Sequence, residues 1–337
     1  MARPAAVPVL SHFLVRSRSA LGRTVGTLYA INSFGAVLGA ASAGFLLLPE
    51  LGKAHTNWVA VGCNITLGLL AIAFGLRKGF GAPLAEPMEP QMNTDEHGCE
   101  KRSGAISVNP CSSVVPNAVV PNDPVSPAAV KLAILTFGVT GFAAMATQIG
   151  WTRAISLATG SSTYAFSLIV AVFILGLSLG GMWGARIAPR TPDPLELLAR
   201  VLLLIGLLNL IVVVLLGYSP FLFFLLIVWG TTQSWNVLLA AEACGIALLI
   251  ICPTILMGAT LPLTLQVASR SGAGAGQTVG TVYAVNTLGA ILGSFFGGLV
   301  ILPALQIQIT LELMALLYAI PGLLLFAQSR AWRERKR

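Results

Sequence analysis

Charge is the scarcest commodity in this chain. Of 337 residues only 9% are charged, against about a quarter in soluble domains. Acids are the rarer sign: twelve Asp and Glu stand against twenty Lys and Arg, and the aspartates are Asp95, Asp123 and Asp193 alone. So few charges cannot coat a 35.1 kDa globule, which argues against a soluble enzyme and against a disordered chain. The net charge of +8 does not make a nucleic-acid surface, because such a surface needs clustered Lys and Arg and here the basic residues flank apolar runs. Cysteine is sparse too. Cys63, Cys99, Cys111, Cys244 and Cys252 form no CxxC pair. Cys63, Cys244 and Cys252 fall within apolar runs and read as packing residues. Cys99 and Cys111 near His97 make only a faint zinc pattern. No Walker loop, nucleophile elbow or zinc spacing occurs, and GAGAG at 272–276 lacks the strand before it and the acid after it that a dinucleotide fingerprint requires. No cofactor and no metal are expected.

What the chain has is apolar length. Hydrophobic residues make up 56% of it and mean hydropathy is +0.85. A spanning helix needs about 20 apolar residues, and eight segments qualify: 25–48, 57–76, 131–150, 163–185, 197–217, 236–257, 279–302 and 310–328. The fold class expected is an all-α polytopic membrane protein with eight spans. PFLFFLLIVW at 220–229 is too short to span and reads as an interfacial or re-entrant piece. Alternating eight spans puts 18 of the 20 basic residues on one face and leaves Lys53 and Arg153 on the other. By the positive-inside rule both termini are expected in the cytoplasm, with the protein in the inner membrane.

Four parts are expected. Residues 1–78 form a two-helix partial repeat. Residues 79–130, with eight of the nineteen prolines, form a flexible cytoplasmic linker. Residues 131–328 form a six-helix unit, and 329–337 a basic tail. The word repeat is earned by an ungapped match at an offset of 254: residues 22–51 and 276–305 are identical at 16 of 30 positions, Tyr29/Tyr283, Asn32/Asn286 and Pro49/Pro303 among them. One complete six-helix unit after the last two helices of another leads us to expect a truncated or split six-plus-six plan, the layout of the major facilitator superfamily. A self-contained eight-helix protein is the alternative.

Two groups of residues stand out. Glycines at four-residue spacing, Gly35 and Gly39, Gly176 and Gly180, Gly289 and Gly293, are expected to let helix backbones approach. Polar residues in apolar runs are candidates for a solute path or for coupling: Tyr29 and Asn32 in the partial unit, their mates Tyr283 and Asn286, the acid Glu242, and Gln148 with Arg153 at the end of a span. Intramembrane polar groups are costly unless hydrogen-bonded, so interhelical bonding is the competing reading for each Tyr/Asn pair, and a pair with Arg153 for Glu242. Trp151 reads as an interfacial anchor.

QIGWTRAISLATGSSTYAFSLIVAVFILGLSLGG at 148–181, PTILMGATLPL at 253–263 and VGTVYAVNTLGAILG at 279–293 resemble, in order, the membrane domain fused to spermidine synthases, the multi-pass relatives of polyamine aminopropyltransferases. The resemblance implies a non-catalytic membrane domain that transports, senses or anchors in polyamine metabolism. It implies a lipid bilayer, a small cationic solute, and a synthase domain or further helices on another chain as partners, with no nucleic acid. A membrane subunit of a synthase and a plain structural scaffold are the alternatives. Gln148 stands where many relatives carry Glu, and the Gly-rich loop and acidic base of a synthase are not found in this sequence, so no catalytic residue is assigned.

Overall fold

A computed structural model describes residues 21–77, 126–160, 163–230, 234–271 and 275–329. Among them every regular element is helical: α1 (Leu21–Ser42), α2 (Leu48–Arg77), α3 (Pro127–Thr159), α4 (Thr163–Ile187), α5 (Pro194–Gly230), α6 (Trp235–Ala268), α7 (Ala275–Phe296) and α8 (Leu302–Gln328). Wide π turns, Ala43–Leu47 and Gly297–Ile301, join α1 to α2 and α7 to α8.

Six helical stretches, rather than the expected eight, are long and apolar enough to cross a membrane. The difference lies at the two ends of the repeat. The segments 25–48 and 57–76 run on as one stretch, Thr27–Ala73, and 279–302 and 310–328 as another, Gly276–Gln328. The intervening residues, expected as loops, are helical except at one position each. Those positions are Gly52 (φ 69°, ψ 174°) and Gln306 (φ 64°, ψ 171°). At Gln306 the helix is kinked: the Thr310 hydroxyl donates to the carbonyl of Ile301 at 3.5 Å, nine residues that an unbroken helix would spread over about 13 Å.

The repeat is written in the backbone as well as in the sequence. Both bounds of α1 and α7, the π turns, the first residues of α2 and α8, and the positive-φ pair Gly52 and Gln306 recur at the offset of 254. So does a hydroxyl bond beside each break, Thr56 to the carbonyl of Gly52 at 2.8 Å and Thr310 to that of Gln306 at 2.6 Å.

Two other boundaries differ from the sequence reading. The run 220–229 is the last part of α5, not a separate piece. Pro220 has no N–H to offer the carbonyl of Leu216, but the Ser219 hydroxyl donates to that oxygen at 2.8 Å, so the helix continues through the proline with no orphan acceptor. The end of the expected linker is helical: Ser126 caps α3, accepting from Ala129 N–H at 3.2 Å, with Pro127 in the first turn. The rest of the expected linker, residues 1–20 and the tail 330–337 lie outside the described residues.

The chain divides into two units. In the unit of residues 51–120, the described part is the helix from Leu51 to Arg77, whose described side chains are exposed on nearly every side, Trp58 at 72%. An apolar helix with no buried stripe suits lipid rather than water. The other unit, residues 1–50 with 121–337, holds the core: Phe173, Leu198, Leu202, Ile205, Ile246 and Ile250 are shut away from solvent while Leu157, Leu248 and Phe221 point outward. Outward leucine and phenylalanine on this scale mark a lipid-facing surface.

Two crossings in that unit depend on glycine. A Cβ on Gly184 would come within 2.7 Å of the Pro262 ring, and one on Gly176 or Gly180 would run into Thr254 or the carbonyl of Ile255. These contacts seat α4 on α6. On the second crossing, Gly289 and Gly293 of α7 take the carbonyls of Gly138 and Phe142, and Gly138 takes Val285 at 2.7 Å. Gly35 and Gly39 behave differently. Nothing lies within 4 Å of a Cβ at either, so among the described residues they pack no helix. Helix α1 meets α4 through another face, where the Ser178 hydroxyl donates to the carbonyl of Ala30 at 2.7 Å and Phe45 stacks on Tyr164 at 5.8 Å. Cys63, Cys244 and Cys252 are exposed rather than packed.

Candidate functional site

The close α3–α7 and α4–α6 crossings leave a cavity of about 110 Å³ between them. Tyr29 of α1 and its repeat mate Tyr283 of α7 both line it, joined by Asn286, Tyr318 of α8, Thr140 and Thr260, with Phe137, Phe173, Met145 and Met257 as the apolar wall. Each polar side chain is placed by a local feature. The Tyr29 ring rests against Gly181, where a Cβ would stand 3.0 Å away. Asn286 is brought to the edge by Gly141, whose missing side chain admits the Asn286 side-chain oxygen, 2.5 Å from an ideal Cβ, and its backbone carbonyl oxygen, 2.7 Å away.

Hydrogen-bond accounting separates spent from unspent groups. Thr140 and Thr260 donate back to their own helix, to Phe137 at 2.9 Å and Met257 at 2.6 Å. The Tyr318 hydroxyl donates to the carbonyl of Thr140 at 3.3 Å. The Tyr283 hydroxyl is buried with no hydrogen-bond partner among the described residues. A buried hydroxyl left unpaired costs about 1–3 kcal/mol, and a cavity of this size, polar on one side, can hold a guest that satisfies it. No lining residue is charged. The site offers aromatic faces, one free hydroxyl and one amide.

The other sequence candidates do not converge here. Asn32 is exposed and off the cavity, unlike its mate Asn286. Gln148 is half-buried and also does not line it. Glu242 is only 9% exposed and lines neither cavity. The expected pair with Arg153 is not formed: among the described residues the one salt bridge is Arg200 with Glu196, one helical turn apart on α5. Arg153 lies instead in a second cavity of about 680 Å³ with Ser156, Leu157, Leu302, Pro303, Gln306, Ile307 and Gln308. Trp151 is not an interfacial anchor but a core residue, 1% exposed and edge-on to Phe173 at 6.3 Å.

Sequence reasoning passed over Tyr318 and Gln306. A lone tyrosine inside the apolar run of α8 was the available signal for the first. For the second it was the repeat alignment, which sets Gln306 opposite Gly52.

Comparison of the chain with models of known families, with curated proteins and with solved structures finds no match. What sequence and fold define together is a multi-pass helical membrane protein.

Proposed function

We propose that the chain handles a small solute in the membrane and that the Tyr29–Tyr283 cavity is where the solute binds. One observation carries this reading: two residues equivalent by internal repeat line a single cavity, and one of them holds a buried hydroxyl that no described residue bonds. Repeat-related residues around one central site are the usual plan of secondary transporters.

The motif resemblance points to polyamine metabolism, and the lining narrows the chemistry. Tyrosine and phenylalanine faces attract a desolvated cation, and the Tyr283 hydroxyl and Asn286 amide accept from an ammonium. With no carboxylate in the lining, a monoamine or a singly charged end of a longer amine fits better than a polycation bound whole. Glu242, buried and paired with no basic residue among those described, is the proposed coupling acid. In this reading no catalytic step is assigned to the chain, and a synthase is its partner.

The test is uptake of radiolabelled putrescine, spermidine and a simple monoamine into proteoliposomes. Tyr283→Phe and Asn286→Ala are expected to cut uptake at least tenfold, and Glu242→Gln to abolish its dependence on a proton gradient. Equal uptake by wild type and the Tyr283→Phe/Asn286→Ala double variant would refute the site.

A further inference from the structure

The second cavity lies apart from the solute site, and its most unusual member is Gln306. Its φ of 64° and ψ of 171° fall in a region that is essentially glycine's alone. The first copy of the repeat has glycine there: Gly52, at φ 69° and ψ 174°. The second copy holds the same backbone geometry with a glutamine, whose side chain lines a cavity of about 680 Å³. A side chain kept where the fold wants none is a reason to look for what it touches.

It shares that cavity with Arg153, an exposed cation that no described carboxylate pairs. Ser156 adds a hydroxyl and Gln308 an amide, one of whose N–H groups is already given to Glu312 at 2.9 Å. Leu157, Leu302, Pro303 and Ile307 supply an apolar side. A guanidinium, a hydroxyl and amides at one edge of an apolar wall suit an amphiphile with an anionic head. The depth agrees. Arg153 lies about 39 Å along α3 from Pro127, and Leu302 about 40 Å along the rise from Ala275, which is close to the full thickness of a bilayer with its headgroups.

We infer that Arg153, Ser156 and Gln306 bind the phosphate headgroup of a membrane lipid, with the glycerol and upper acyl carbons against Leu157 and Ile307. The guanidinium takes the phosphate oxygens through its fork of N–H donors, and the Gln306 amide adds a donor that Gly52 cannot offer in the first copy.

The full chain in detergent is titrated with a short-chain phosphatidylglycerol, with the matching diacylglycerol and with inorganic phosphate, and binding is read by native mass spectrometry and by the shift in melting temperature. Phosphatidylglycerol is expected to bind and stabilise, and the other two to do so at least tenfold more weakly. Arg153→Gln is expected to lose at least tenfold in affinity and Arg153→Lys to recover part of it. Gln306→Gly is expected to raise the melting temperature of the lipid-free protein while weakening lipid binding at least threefold. That opposite movement separates a binding role from a structural one. Undiminished lipid binding in both Arg153→Gln and Gln306→Gly would overturn the inference, as would inorganic phosphate or diacylglycerol binding as tightly as the phospholipid.

Discussion

Tyr283 and Tyr318 line the same cavity, yet a Phe substitution should affect them in opposite ways. Tyr318 spends its hydroxyl on the carbonyl of Thr140, so Tyr318→Phe forfeits a buried bond and should cost about 1 kcal/mol. The Tyr283 hydroxyl is buried and unspent, so Tyr283→Phe should leave thermal stability unchanged or raise it by about 1 kcal/mol while solute binding falls. Differential scanning fluorimetry beside a binding titration checks both. Polarity and repeat alignment together were enough to single out Tyr29, Tyr283 and Asn286 from the sequence. They could not say that Asn32 faces outward while Asn286 faces in, because the face a residue presents depends on which neighbours its helix has. Nor could they place Arg153 away from Glu242, since no pattern along one strand of sequence reports the distance between two helices.

At the scale of elements the glycine pattern was legible, but its meaning was not uniform. The spacing is the same in α1, α4 and α7, yet only the glycines of α4 and α7 are pressed against a neighbouring helix. Gly180→Ala and Gly293→Ala should therefore each destabilise by about 1–3 kcal/mol through overpacking. Gly39→Ala, with open space around it, should be neutral or stabilising by up to about 1 kcal/mol through helix propensity. Melting temperatures of the three variants in one detergent test this directly. The extension of α5 through Pro220 was hidden for a different reason. A proline in an apolar run reads as a stop, and the remedy, one hydroxyl at Ser219, is a matter of side-chain rotamer. Ser219→Ala leaves the Leu216 carbonyl unpaired and should cost about 1–3 kcal/mol, read as a lower melting temperature. The breaks at Gly52 and Gln306 were hidden because loops were expected across several residues, whereas one positive-φ position in each is enough.

For the whole molecule, scarcity of charge and abundance of apolar length were decisive, and the all-helical, multi-pass character follows from them. With no water to satisfy backbone groups inside a bilayer, long helices are one of only two solutions. The internal repeat was equally plain in sequence, and its backbone counterpart, helix bounds and π turns recurring 254 residues apart, gives the cavity its character: a space reached by the same residue from both copies. Function was legible only as far as the choice of candidates.

The central claim is that this cavity receives a solute, and Ala290, a small residue in its wall, reports on it. With the five native cysteines replaced by serine, an Ala290→Cys protein in membranes should react with a small water-soluble methanethiosulfonate, and the transported amine should slow that reaction in proportion to its occupancy. Labelling that no amine slows, in protein that still takes the amine up, would contradict the account.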